Sequence, residues 1–285
     1  MSNKRNRSEG WTFAKLSGHK NENRLSELIN NNDIYRNHLK KRLGLIEEIL
    51  SCKEGGIYET NTKDIFGKST KRKTDLIITC TNNTFVNISL KKSRSGQAYL
   101  IGVDRFIEGF QKQFKLKIDK NIIEALNLFF GNSDKIQNIV NDPKYKNISK
   151  KIKKYEIRKN RLTHETLVLY NSKLADSLIN WFRQNIANLF LFCFERGLGA
   201  EKKDWAHFIF YLNLVEEVNI DNIFSINDLF LKYQNLTPQQ KEKIVYGDRN
   251  GGTTIVLPFG SVQWHLGQLQ FRHEINSLLN SQKIN

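Results

Sequence analysis

Residues 73–92, KTDLIITCTNNTFVNISLKK, contain two short apolar runs rich in β-branched residues, divided by the pair Asn82-Asn83. Neither run is long enough for a stable helix, and an asparagine pair tolerates the backbone of a tight turn. The segment therefore predicts an antiparallel hairpin of strands 75–80 and 84–90. Side chains alternate along a strand, so Ser89 and Lys91 share one face of the second strand, while Asp75 opens the first.

Helical spacing flanks this hairpin. Leu25, Leu28 and Ile29 recur as one face of a helix over 21–30, with 11–16 as a short ordered lead-in. Asn32 or Asp33 is placed to cap a second helix running to Leu50, lined by Leu39, Leu43, Ile46 and Ile49 and closed by Glu54-Gly55-Gly56. After the hairpin a helix is expected from Asp104, with Phe106, Ile107 and Phe110 on one side. Residues 174–194 are apolar on most sides and predict a buried central helix, since Arg183 and Gln184 exclude a membrane span. A core strand over 206–212 follows, then a short helix over 226–233 capped by Ser225. Glycines punctuate the last forty or so residues, where VQWHLGQLQFRHE alternates polar and apolar as strands do. Trp264 within it reads as core.

These elements predict an α/β (α+β) fold with a central mixed sheet flanked by helices. Prolines stand only at 143, 238 and 258, and no Gly/Ser-rich linker separates two apolar blocks. One domain over 1–285 is expected, with a core at about 16–116, a helical middle at about 117–205 and a C-terminal part at about 206–285.

A net charge of +16, from 45 basic and 29 acidic residues, suggests an extended polyanionic partner, nucleic acid before anionic membrane. The stretch from Lys144 to Arg161 alone has nine Lys and Arg against one Glu. It reads equally well as a solvated helix face or as a phosphate-facing arm. No apolar run is long enough to span a bilayer, and MSNKRNRSEG lacks the apolar core of a signal peptide, so an intracellular, cytoplasmic protein is expected. Cys52, Cys80 and Cys193 are widely spaced, two of them in apolar runs, which fits buried thiols in a reducing compartment. Neither they nor the six scattered histidines show zinc-ligand spacing.

An acid and an amine on neighbouring strands suit phosphodiester hydrolysis. That reaction needs an activated water, stabilisation of phosphate charge and help for the departing oxygen, and a cation held by carboxylates serves all three. Oxygen donors without sulfur or paired imidazoles favour Mg²⁺. In this arrangement Asp75 binds the ion and Lys91 orients or helps deprotonate the water. One carboxylate makes a thin metal site, and Ser89 stands where a second acid is expected. The missing charge is sought in Glu22 or Glu27 before the hairpin, or Asp104 or Glu108 after it, with Glu22 preferred.

Four motifs in order, Gly18-His19-Lys20-Asn21-Glu22, Lys73-Thr74-Asp75, Ser89-Leu90-Lys91 and Leu269-Gln270-Phe271-Arg272, resemble those of type II restriction endonucleases of the PD-(D/E)xK superfamily, in particular the MspI-like group that cuts four-base palindromes. The resemblance runs from about Leu16 to Ile275, loosely through the middle at Asn180-Trp181. It implies a restriction-endonuclease-like core and makes Asp75 a metal-binding acid, Lys91 the catalytic lysine and Glu22 the supporting carboxylate. Amides occur at the position of Ser89 in that group, so Ser89 is compatible with activity. The resemblance further makes Ser93-Arg94-Ser95-Gly96-Gln97 a DNA-contacting loop and the C-terminal part a base reader through Gln270 and Arg272. An arginine there suits a guanine edge in the major groove.

The expected activity is thus Mg²⁺-dependent cleavage of a short palindromic double-stranded DNA site by a monomer or homodimer. A repair or modification-dependent nuclease would share Asp75 and Lys91. A non-catalytic DNA-binding protein would account for the charge but not for the hairpin.

Overall fold

The computed structural model describes residues 7–55, 62–70, 72–131, 133–216, 219–248 and 251–283, with side chains from 16 to 282. Gly56, expected to help close the second helix, lies outside them. In chain order the regular elements begin with α1 (Arg7–Asn31), α2 (Asp33–Arg42), β1 (Ile49–Glu54), β2 (Leu76–Cys80), β3 (Phe85–Lys91) and β4 (Ser95–Gly102). A helical stretch follows: α3 (Val103–Phe114), α4 (Lys120–Phe130), α5 (Ile136–Asn141), α6 (Lys150–Lys159), α7 (His164–Gln184) and α8 (Ile186–Leu191). The chain continues through β5 (Phe208–Leu212), β6 (Asp221–Ser225), α9 (Ile226–Gln234) and α10 (Pro238–Lys241). It ends with β7 (Thr254–Leu257), β8 (Gly260–His265), β9 (Gln268–Glu274) and α11 (Ile275–Lys283).

These elements form two compact units, residues 1–94 with 194–228, and residues 95–193 with 229–285. Each unit draws on two stretches of chain, so β5 and β6 belong with the N-terminal hairpin rather than with the C-terminal part expected from 206 onward.

The first unit holds a five-stranded sheet in the order β1-β2-β3-β5-β6, antiparallel except for the parallel pair β3-β5. The predicted hairpin is present: Leu76 pairs with Ile88 and Thr79 with Phe85. Asn82 and Asn83 carry the turn with φ of 68° and 56°, a left-handed backbone that asparagine accepts more readily than most residues. Leu25 and Ile29 of α1 and Leu39 of α2 pack on Leu76, Ile78, Ile88, Leu90 and Phe210, which form one apolar layer.

The second helix is capped by Asn32, whose side chain accepts from the Tyr35 N–H at 2.9 Å. It stops at Arg42, eight residues earlier than Leu50. Gly44 takes φ of 66°, and the N–H groups of Gly44 and Leu45 return to the carbonyls of Lys41 and Lys40 at 3.1 Å each, a Schellman closure. Ile46 is consequently 88% exposed, and Ile49 and Leu50 open β1, an unpredicted strand. A second unpredicted strand, β4, stands between the hairpin and α3, so 95–97 is extended rather than a loop.

The second unit holds an antiparallel sheet in the order β4-β9-β8-β7. Phe106 and Phe110 of α3, Trp181 of α7 and Phe192 form an aromatic cluster, and Phe106 also meets Phe271 of β9 at 5.7 Å. The helix expected over 174–194 is broken: α7 ends at Gln184, α8 resumes at Ile186, and a π turn spans Phe192–Arg196. Trp264 is only half-buried, with the Lys159 ammonium 4.5 Å from its ring centre. Two charges of the basic 144–161 stretch point inward: Glu156 accepts from the Thr163 N–H and hydroxyl at 2.7 and 2.8 Å, and Arg161 donates to the Thr253 carbonyl at 3.2 Å. All three cysteines are free and buried. Among the described residues no helix is long and apolar enough to cross a membrane.

Candidate active site

Asp75 lies one residue before β2, and its own N–H donates to the Ile88 carbonyl at 2.8 Å. This extends the Leu76–Ile88 register by one step and sets Asp75 opposite Ser89. One carboxylate oxygen, Oδ2, accepts from the Leu90 N–H at 2.7 Å and lies 3.3 Å from the Ser89 hydroxyl. The Lys91 ammonium donates to Ser89 Oγ at 2.7 Å and to the Leu90 carbonyl at 3.3 Å, and stands 3.8 Å from Asp75 Oδ2. Asp75, Ser89 and Lys91 therefore meet on one side of the hairpin, the acid 30% and the amine 17% exposed.

The chain entering β2 is tethered by its neighbours. Arg72 turns inward to Asp204 at 2.6 Å and to the Thr62 hydroxyl at 3.0 Å, and the Thr74 hydroxyl donates to the Asp204 carbonyl. These contacts fix the backbone that presents Asp75.

Glu22 comes from α1. Its neighbour Asn21 is buried and clamps the end of β5, donating to the Leu212 carbonyl at 2.8 Å and accepting from the Leu214 N–H at 2.7 Å. That clamp sets the rotation of the helix. Burial, and next the negative charge of Asp75, hold the Glu22 carboxyl above the usual carboxylate range, and the His19 ring, 3.3 Å away, pulls it back. Glu22 and Asp75 thus act on each other electrostatically, as two carboxylates sharing one locale must. Of the other acids considered, Glu27 is exposed on α1, and Asp104 and Glu108 are exposed on α3 in the second unit.

A further acid, Glu54, escaped the sequence reading. It ends β1 opposite Leu76, and its charge also raises the Glu22 pKa. With its nitrogen turned toward this acid, the Asn23 amide donates to both Glu54 oxygens at 2.9 and 3.0 Å and to the His19 carbonyl at 2.7 Å. Because Glu54 read as part of the segment that closes a helix running to Leu50, nothing in the sequence pointed to it as a site acid.

Among the described residues no three His, Cys, Asp or Glu side chains form a ready metal cage. Mg²⁺ keeps several waters and takes only one or two carboxylates from protein. Two mutually repelling carboxylates beside a lysine form a donor set that fits such an ion.

The residues expected to contact DNA divide between the units. Ser93 and Arg94 are exposed just after β3, while Ser95 and Gln97 are exposed on β4. On β9, Gln270 is only 8% exposed and Arg272 half-buried. Leu269, Phe271 and His273 alternate with these two and are buried. Ser261, Gln263 and His265 of β8 pair with Arg272, Gln270 and Gln268, giving the sheet one polar face. The alternation in VQWHLGQLQFRHE carried that signal, although only Gln270 and Arg272 were singled out as base readers.

A central mixed sheet flanked by helices is a restriction-endonuclease-like fold. The chain matches the crystal structure of the restriction endonuclease MspI in complex with its cognate DNA with a TM-score of 0.51 and 13% identity, over 94% of this chain and 93% of that one. At that identity the likeness shows the fold. No protein-family model matches the chain, and no curated protein matches its sequence.

Proposed function

We propose that this protein is a type II restriction endonuclease, hydrolysing phosphodiester bonds of both strands at a short palindromic double-stranded DNA site with Mg²⁺, as a monomer or a homodimer in the cytoplasm. The observation that carries the proposal is the convergence of Asp75, Ser89 and Lys91 on one hairpin, with Glu22 close enough to respond to the charge of Asp75. The four ordered motifs resemble those of the MspI-like group and support the finer assignment.

Asp75 and Glu22 would hold the ion. Bound there, Mg²⁺ supplies Lewis-acid stabilisation of phosphate charge and makes water more acidic. Lys91, held by Ser89 and the Leu90 carbonyl, places a cation beside the scissile phosphate and offers a hydrogen bond that orients the attacking water. Ser89 fixes the ammonium. The Leu90 N–H keeps the Asp75 carboxylate from rotating away from the site.

The excess of basic residues provides sequence-independent attraction to phosphates. Ser93, Arg94 and Ser95 are exposed polar residues suited to the sugar-phosphate backbone, and the polar sheet face that carries Gln97 and Arg272, with Gln270 buried in it, is suited to base edges.

Digestion of a defined plasmid with Mg²⁺, followed by mapping of the ends, tests the proposal. Discrete bands with ends at one repeated palindrome, abolished in Asp75→Ala and Lys91→Ala, are expected. Cleavage confined to damaged or methylated DNA would replace it with a repair or modification-dependent nuclease. DNA binding that survives Asp75→Ala, with no cutting by the parent, would leave a non-catalytic binder.

A further inference from the structure

Three glutamines form a line across the polar face of the second sheet. Gln263 on β8 donates through Nε2 to Gln270 Oε1 at 2.7 Å, and Gln270 on β9 donates through Nε2 to Gln97 Oε1 on β4 at 3.0 Å. A bulge between Gln97 and Tyr99 makes the alignment possible. Gln97 pairs with Arg272 and Tyr99 with Phe271, so the extra residue, Ala98, keeps Gln97 on the polar face while Tyr99 packs edge-on against Phe192.

The two ends of the line differ from its centre. Gln270 is buried, and both heteroatoms of its amide are engaged, whereas Gln97 is exposed and Gln263 half-exposed. A primary amide has a carbonyl on one side and an amino group on the other. Since the Gln270 carbonyl faces Gln263, its amino group must face Gln97. Gln97 then turns its carbonyl inward and its amino group outward, and Gln263 does the reverse. One buried amide thus sets opposite hydrogen-bonding polarity at two surface positions. Beside the donor end, the Arg272 side chain makes no hydrogen bond or ion pair among the described residues, so its guanidinium adds donors there.

From this geometry we infer that Gln270 is a positioning residue, and that Gln97 and Gln263 are the specificity-determining amides it orients, Gln97 as a donor and Gln263 as an acceptor toward major-groove base edges. The inference rests on the proposed function and names how the recognition face of that enzyme is set. An acceptor edge, such as purine N7 or a carbonyl oxygen, fits the Gln97 end. An exocyclic amino group fits the Gln263 end.

Cleavage of a randomised duplex library with Mg²⁺, read by sequencing the ends, tests it with the parent, Gln97→Met, Gln263→Met, Gln270→Met and Gln270→Glu. Gln97 is exposed, so its variant keeps the test independent of any folding defect at the buried position. Gln270→Met is expected to relax discrimination roughly tenfold or more at the base pairs affected by Gln97→Met and Gln263→Met, and at no other. The Gln97→Met/Gln270→Met pair should be no worse at the Gln97 base pair than Gln97→Met alone. Gln270→Glu has only acceptors, so it should draw both amino groups inward and shift preference at the Gln97 base pair from an acceptor toward an amino edge.

Unchanged specificity in Gln270→Met, or a new preference at a base pair that neither Gln97→Met nor Gln263→Met touches, would overturn the relay while leaving the endonuclease reading intact. Failure of the parent to cut any sequence would instead remove the endonuclease reading, and the relay's role in recognition with it.

Discussion

The Leu90 main-chain N–H donates to the Asp75 carboxylate at 2.7 Å across the hairpin, so the acid is held by backbone and not only by its side-chain neighbours. Ser89 has a different task, since its hydroxyl receives the Lys91 ammonium at 2.7 Å. Ser89→Ala should therefore leave Asp75 in place and loosen Lys91, costing about tenfold in single-turnover cleavage. Lys91→Ala should cost about 10²- to 10⁴-fold, the range for removal of a positioned acid-base group. Equal losses in the two variants would contradict this division.

Ser89 also stands where a second carboxylate would strengthen ion binding. Ser89→Asp should lower the Mg²⁺ concentration for half-maximal cleavage severalfold, because charge count sets affinity at oxygen-donor sites. Without the ion it should lower the melting midpoint, since the new carboxylate faces Asp75. A Mg²⁺ titration and a thermal melt in chelator check the two effects.

Glu22 gives a pH-dependent prediction. Burial and the charge of Asp75 raise its carboxyl pKa in the folded protein above 4.5, so the native state holds this proton more tightly than the unfolded chain does. The favourable contribution is complete below pH 4.5 and is lost as pH rises through the folded value. Glu22→Gln should accordingly stabilise the metal-free protein at pH 7 relative to the parent, more than at pH 4, while lowering Mg²⁺-dependent cleavage. Urea melts in chelator at both pH values measure the difference.

His164 works in the opposite sense. Burial lowers its pKa below 6.5, and its ring stacks on Tyr246 with centres 3.9 Å apart. The unfolded chain binds the proton more readily, so stability falls as pH drops from about 6.5 through the folded value. His164→Phe retains a stacked ring without the titration. It should flatten the acid side of the stability profile, by a modest amount because the imidazole is only half-buried.

Gly260 opens β8 with φ of 145°, and a Cβ there would come within 2.2 Å of the Arg272 carbonyl oxygen. Gly260→Ala should cost about 1–3 kcal/mol from backbone conformation alone, and more from the clash. Because the displaced residue is Arg272, sequence discrimination should fall along with the melting midpoint. A melt and a cleavage assay on mismatched sites together reveal both.

The hairpin, a cap at Asn32 or Asp33, a strand within 206–212 and the polar alternation of 262–274 were all legible from local chemistry: period-2 patterning, turn-tolerant asparagines and a short side chain that can accept from a free N–H. So was the meeting of Asp75, Ser89 and Lys91, because strand alternation and a tight turn leave little freedom between them. Strands β1, β4, β6 and β7 were not named from the sequence, and the first two show why. β1 looked helical because Leu39, Leu43, Ile46 and Ile49 fit a helical period, and only the left-handed turn at Gly44 breaks it. β4 runs directly into α3 with no turn residue to separate them, and its identity comes from pairing with β9, a partner more than 150 residues away. The same long-range pairing decided what no single segment contains: Glu54 beside Glu22, Asn21 clamped to β5, and three glutamines from three strands joined in one line. Hydrogen-bond partners distant in sequence are chosen by packing of the whole sheet, so the chain alone specified which groups were available, and tertiary structure decided which of them met.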